Sequence, residues 1–356
     1  MQKIDNIFAF YKRIIDKYNR VNEQAIRNKG ENVMGKDYVP TLKYGPEDKI
    51  APIPPYERGL QTIIAEPWLK VEQTCFSDLE GTNFDREGNL LFVEAGGPAS
   101  KLHRVNCDTK EGTVVYEDPE KRAMSAVKPA KDGRIWIPSV GPTFDKGYIF
   151  SCNPDGTDYR VELEGPVVDD MCFDSKGGIY YNNFIGNVGD PAGGVYYRSP
   201  EGEITPVLEG LCGPNGMAIS KDEKTLWITE SNAMRLTRVS LDPAGGPTDI
   251  APFGVHVCYY FSGGGVCDSC EIDDDDNLYV SMYDQGRIMV FNKAGWPIGQ
   301  ILMPGRENGE HLGTTHTAIR PGTNEIYICT NDAKNGAWIF KAGAFAKCSM
   351  ASYQFL

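Results

Sequence analysis

The chain has 356 residues, with 36 Lys and Arg against 49 Asp and Glu, a formal net charge of −13. That balance excludes a nucleic-acid surface, which needs clustered positive charge to release counterions. No stretch approaches the roughly 20 apolar residues of a membrane span. The N-terminal MQKIDNIFAFYKRIIDKYNR is charged throughout, unlike a secretory leader, so a cytoplasmic protein is expected.

Residues 4–26 place apolar side chains at 4, 7, 8, 11, 14, 15, 18, 21 and 25, the stripe of a helix. Its partner is either the body of the same chain or a second copy, so monomer and homodimer both remain open. Residues 28–58 are rich in Gly, Pro, Lys and Glu and read as an extended linker. The expected division is a 1–57 extension followed by a 58–356 all-β domain.

From about residue 60, short β-rich runs alternate with Gly, Asp and Asn turns: NLLFVEA, RIWIPSV, GIYYNNF, TLWITES, NLYVSMY and EIYICTN. The runs belong to six stackable segments. They are LEGTNFDREGNLLFV, MSAVKPAKDGRIWIP, VDDMCFDSKGGIYYN, PNGMAISKDEKTLWIT, CDSCEIDDDDNLYVS and TTHTAIRPGTNEIYIC. Each has a polar residue at its second position: Glu80, Ser125, Asp169, Asn215, Asp268 and Thr315, spaced 45, 44, 46, 53 and 47 apart. Periods of 40–50 residues holding several strands are the mark of propeller blades. The fold class is therefore all-β, a six-bladed β-propeller with an N-terminal helical extension. The longest gap contains an insertion, residues 252–265, expected to form a loop over one face. Its Tyr259, Tyr260 and Phe261 are candidates for an apolar lid or for strand core.

The first strand of each propeller blade lines the central channel, so one repeat position recurs at one height around the axis. Three carboxylates and an amide in such a ring repel one another unless a cation joins them. Glu80, Asp169, Asn215 and Asp268 are all oxygen donors, which points to Ca²⁺ ahead of Mg²⁺ or Mn²⁺. Asp85, Asp174 and the run 273–276 follow the inner strand and suit turn chemistry instead. The ten cysteines are scattered, several in apolar runs, and read as reduced thiols. Cys267 and Cys270 bracket Asp268 without two further zinc ligands at the usual spacing, so packing is expected of them.

The stretches LEGTNFD, DDMCFDSKGGIYY, PNGMAIS, LWITES, CDSCEIDDDDNLYVSMYDQGRIMVFNKAGWPIGQILMPGR and TTHTAIRPGTNEIYICTND resemble the regucalcin/gluconolactonase family of calcium-dependent propellers. The resemblance covers about residues 58–356 and implies hydrolysis of a small-molecule lactone at one axial Ca²⁺. It matches the metal ligands to Glu80, Asp169, Asn215 and Asp268, adds Ser269 as a minor ligand, and gives Asp268 the acid/base role. Between the two carboxylates, Asp268 is the first choice of general base and Glu80 the second. Ser125 stands where the family often has Asn and is, with His316, a candidate substrate contact; His316 reads equally as a histidine hydrogen-bonded in the channel wall. Some relatives hold a second Ca²⁺ in a longer loop before the DD pair; VELEGPVVDD is too short for it, leaving residues 139–147 as the alternative place. A phosphotriesterase-like hydrolase and a non-catalytic binding propeller are the competing readings of the same ring.

Overall fold

The computed structural model describes residues 51–71, 78–95, 100–242, 244–332 and 335–348, all within the compact unit Gly45–Leu356. The N-terminal helix, and any dimer contact through it, lie outside the described residues. Six sheets of four or five strands follow one another along the chain. Blade one is Asp78–Phe84, Leu90–Ala95, Lys101–Val105 and Gly112–Glu117. Blade two splits its first strand into Ala123–Met124 and Lys128–Pro129, followed by Ile135–Gly141, Gly147–Cys152 and Arg160–Gly165. Blade three is Met171–Phe173, Ile179–Asn183, Gly193–Arg198 and Ile204–Leu211; blade four is Pro214–Ile219, Thr225–Glu230, Arg235–Leu241 and Ile250–Tyr260. Blade five is Val266–Ile272, Leu278–Tyr283, Arg287–Phe291 and Pro297–Leu302; blade six is Gly313–Ile319, Thr323–Asn331 and Ala337–Cys348.

The remaining two strands come from before the first repeat. Gln61–Ile64 adds to blade five, parallel to Pro297–Leu302, and Glu66–Val71 is the antiparallel outer strand of blade six. The start of the domain thereby covers two sheet edges that would otherwise be exposed. Hydrogen bonds run from blade to blade around the axis. Asn83 donates to Val127 O at 3.0 Å, Ser125 to Val168 O at 2.9 Å, Thr229 to Asp268 O at 2.7 Å and Thr315 to Leu79 O at 2.6 Å, the last closing the ring.

The apolar residues assemble into six clusters, one in each crevice between neighbouring blades. Between blades four and five, Trp227 and Leu236 pack on Cys267, Leu278, Val280 and Phe291. Between blades six and one, Tyr327 and Ile339 pack on Leu79, Phe84 and Phe92. Alternation along each strand serves two such crevices at once, which explains why the β-runs are apolar on both faces.

Two expectations are corrected. The insertion does not loop over a face: Ile250–Tyr260 is one long outer strand of blade four, because its residues pair with Arg235–Leu241 through two register shifts. Tyr259 and Phe261 pack in the crevice toward blade five while Tyr260 is exposed, so the aromatic trio is not a lid. The linker reading also stops short of Pro55. Pro55–Glu57 is a 3₁₀ turn whose Glu57 carboxylate is buried, accepting from Tyr259 and pairing with Arg287 at 2.6 Å. Breaking a buried pair strands a charge in low dielectric. Glu57→Gln is therefore expected to destabilise the chain by about 3 kcal/mol in thermal or urea melts, with Glu57→Gln/Arg287→Met recovering most of the loss.

Candidate metal centre and active site

Each blade closes its first hairpin through one pair: Phe84 with Leu90, Pro129 with Ile135, Phe173 with Ile179, Ile219 with Leu226, Ile272 with Leu278 and Ile319 with Ile326. Counting back four residues from the first member of each pair lands on Glu80, Ser125, Asp169, Asn215, Asp268 and Thr315. The strand ladders thus place the six repeat positions in register. In blades one, four, five and six the ladder slips at this point, between Glu80 and Asn83, Pro214 and Met217, Cys267 and Cys270, and Thr314 and Thr317. A bulge inserts an extra residue and re-aims the side chains around it. Glycine is required next to two ring residues: a Cβ at Gly81 would lie 2.6 Å from Ala126 Cα, and one at Gly216 would lie 2.4 Å from Cys270 N.

The three acids of the ring face one another. Burial first, then the charges of Asp268, Asp169 and Asp78, hold the Glu80 carboxyl well above its ordinary range. Burial, Asp268 and Asp170 do the same to Asp169. Asp268 is pushed up to about 8, chiefly by burial; hydrogen bonds from the Asn215 side chain and the Ser269 N–H pull the other way without cancelling it. Among the described residues no three His, Cys, Asp or Glu side chains are grouped around a ready-made metal position, the three acids of the ring included. Neutral oxygens stand beside those acids. Glu80 Oε2, Asn215 Oδ1 and Ser269 Oγ are each sequestered from solvent with no hydrogen-bond partner. Buried polar atoms are nearly always satisfied, and three orphaned oxygens beside mutually repelling carboxylates fit a hard cation.

The other sequence candidates fare differently. The Ser125 hydroxyl is committed to Val168 O, and Thr315 to Leu79 O. His316 is fully buried; neither ring nitrogen makes a hydrogen bond of good geometry, although the Thr317 backbone lies close enough to act on the ring. Burial, then the nearby Lys128 charge, hold it far below the ordinary imidazole value and therefore neutral. Asp85, Asp174 and Asp273 each cap their turns by accepting two backbone N–H groups. The nine described cysteines are all free thiols.

Sequence reasoning passed over Lys128, Asp170 and Glu271, all buried. Lys128 and Glu271 occupy one repeat position, three residues after Ser125 and Asp268, where the other blades carry Asn83, Cys172, Ala218 and Ala318. A charged residue in a register otherwise small or neutral was the available signal. Lys128 Nζ pairs with Asp170 Oδ1 at 2.8 Å, and Asp170 also accepts from Met171 N and Met217 N.

Residues 79–329 match the family model for the SMP-30/gluconolactonase/LRE-like region. A protein of Staphylococcus saprophyticus named lactonase drp35 is 46% identical over 331 residues, covering 90% of this chain and all of that one. The protein of the same name from Staphylococcus aureus USA300 is 42% identical, covering 91% and 100%. Among solved structures, regucalcin from Agrobacterium tumefaciens, described as a calcium-binding protein, superposes with a TM-score of 0.62 at 16% identity, covering 81% of this chain and 98% of that one. A gluconolactonase from Xanthomonas campestris does so at 0.60 and 14%, covering 80% and 99%. The propeller is thus one shared with calcium-binding and gluconolactonase chains. The chain belongs to the SMP-30/gluconolactonase/LRE-like family.

Proposed function

We propose that this chain hydrolyses lactone rings with one divalent cation, Ca²⁺ by its all-oxygen donor set, held by Glu80, Asp169, Asn215 and Asp268 with Ser269 beside them. The enzyme class itself, lactonase, follows from the family and from relatives of that name matched along their whole length. The observation that supports the cation most is the trio of orphaned oxygens on Glu80, Asn215 and Ser269. When bound, such an ion supplies positive charge that polarises an ester carbonyl and offsets the oxyanion formed on attack.

The side chains do the rest. Asp268 takes a proton from the attacking water at its carboxylate and returns it to the departing ring oxygen. The Asn215 amide donates to Asp268, which orients the base while leaving Asn215 Oδ1 for the cation. The Ser125 hydroxyl proton is spent on Val168 O, so toward substrate this residue acts only as an acceptor. No helix among the described residues is long and apolar enough to cross a membrane. The free thiols of the described cysteines support the cytoplasm as its location.

The test is ring opening of γ- and δ-lactones followed by proton release. Chelation with EDTA is expected to abolish turnover and added Ca²⁺ to restore it. Undiminished hydrolysis by chelated, metal-free protein would overturn the cation's part, and no turnover of any lactone with Ca²⁺ present would overturn the activity.

A further inference from the structure

Asp169, Asn215 and Asp268, on three consecutive blades, are joined by one line of hydrogen bonds. Asn182, in the second strand of blade three, accepts at Oδ1 from Asp169 N at 2.8 Å and Asp170 N at 3.3 Å, and its Nδ2 donates to Asn215 O. The N–H of that same peptide unit, on Gly216, donates to Thr229 Oγ1 at 2.7 Å, and Thr229 donates to Asp268 O at 2.7 Å. Both side chains are wholly buried. The Asn215–Gly216 peptide is thus gripped on both edges, its carbonyl from blade three and its N–H by a hydroxyl that reaches on to blade five. Asn182 and Thr229 hold one repeat position, three residues after Ile179 and Leu226, which close the first hairpins of blades three and four. The other blades carry Val93, Pro138, Ser281 and Cys329 there. Val93 and Pro138 have no polar side-chain atom. Ser281 Oγ has no hydrogen-bond partner, and Cys329 Sγ meets the Thr82 hydroxyl at 2.8 Å rather than a main chain. At this position, side chains grip the main chain of the ring only across blades three, four and five, where each blade supplies a proposed ligand.

We propose that Asn182 and Thr229 are positioning residues: by fixing the main chains of Asp169, Asn215 and Asp268 against one another, they set the spacing of three oxygen donors. The proposal rests on the reading of the ring as a cation site and adds the groups that tune it. In a dry interior the bonds of such a line polarise one another, so a shift of any one link is resisted by all. Neither residue is needed to join the blades. Met217 N bonds Asp170 Oδ2 at 3.0 Å between blades three and four, and Ser231 donates to Cys267 O at 2.6 Å between blades four and five. Removing Asn182 or Thr229 therefore frees the ring residues while the blades stay docked.

Wild type, Asn182→Ala, Thr229→Val, Thr229→Ser, Ser281→Ala and Glu57→Gln are stripped with EDTA and titrated with Ca²⁺ by calorimetry, and their melting is followed in EDTA. Thr229→Val keeps the shape and removes the hydroxyl, while Thr229→Ser retains it. Ser281→Ala alters the same repeat position where it ties nothing, and Glu57→Gln lowers stability far from the ring. Asn182→Ala and Thr229→Val are expected to bind Ca²⁺ about 10–100-fold more weakly than wild type, the usual loss when a partner that orients a metal ligand is removed. Thr229→Ser, Ser281→Ala and Glu57→Gln are expected to keep the wild-type affinity. Wild-type affinity in both Asn182→Ala and Thr229→Val would overturn the proposal, as would an equal loss in Glu57→Gln. So would failure of Asn182→Ala and Thr229→Val to fold, since the ties would then be struts of the fold. Wild type that binds no Ca²⁺ would overturn the cation reading and this proposal together, which separates the two failures.

Discussion

Asp268→Asn is expected to lower lactone turnover by about 10²–10⁴-fold at saturating Ca²⁺, the range a positioned general base contributes, while circular dichroism stays that of the wild type. The substitution keeps the shape of the side chain and an oxygen for the cation, but it removes the atom that accepts the proton. Asp268 suits that role by its position: it sits in the bulge between Cys267 and Cys270, receives the Asn215 amide and the Ser269 N–H, and still titrates at about 8. Glu80→Gln should behave differently. Its Oε2 makes no hydrogen bond, so its replacement weakens cation binding, and turnover returns substantially at high Ca²⁺. The ratio of the two variants at saturating Ca²⁺ separates base from ligand; near-normal turnover by Asp268→Asn would remove Asp268 from the base role.

The second large effect is on stability after chelation. Asp268 titrates at an ordinary 3.8 when unfolded but at about 8 in the folded, cation-free chain. Between those values the folded chain keeps a proton that the unfolded chain has lost. The stabilisation this represents is complete below the unfolded value and disappears as the pH rises through about 8. Its ceiling is on the order of 5 kcal/mol, at about 1.4 kcal/mol per pH unit. Glu80 and Asp169 shift in the same direction, and because the acids repel one another they lose their protons as a coupled group whose contributions do not simply sum. In EDTA the melting temperature should therefore fall steadily from pH 5 to pH 9. With Ca²⁺ the fall should vanish, since a bound dication favours the ionised carboxylates and binds more tightly as they lose protons. Asp268→Asn in EDTA at pH 9 should melt above the wild type, an inversion of its effect on activity. Parallel pH profiles with and without Ca²⁺ would show that the ring holds no cation.

The repeat made much of this legible before any coordinates. A polar residue, then three others, then the residue that closes a hairpin recurs six times, and the ladder pairs Phe84–Leu90 through Ile319–Ile326 place those residues as the spacing had them. Local hydrogen bonding explains the success: each hairpin, with its turn capped by Asp85, Asp174 or Asp273 in blades one, three and five, is specified within about a dozen residues, so register survives in one dimension. Lys128, Asp170 and Glu271 were not legible, because their meaning lies in each other. Lys128 reads as a surface lysine until blades three and five are seen to bring carboxylates to it. Glu57 was hidden for the same reason, its partners Tyr259 and Arg287 lying some two hundred residues away.

The sequence by itself determined the number of blades and the register of the six repeat positions, since both follow from a repeat whose unit folds through local pairing. The tertiary structure alone decided how the ring closes and what fills the channel behind it. Closure rests on Gln61–Ile64 and Glu66–Val71 meeting strands more than two hundred residues later. Behind it, Lys128 of blade two meets Asp170 of blade three at 2.8 Å. Burial and long-range Coulomb energy set both outcomes, and neither is a property of any one segment.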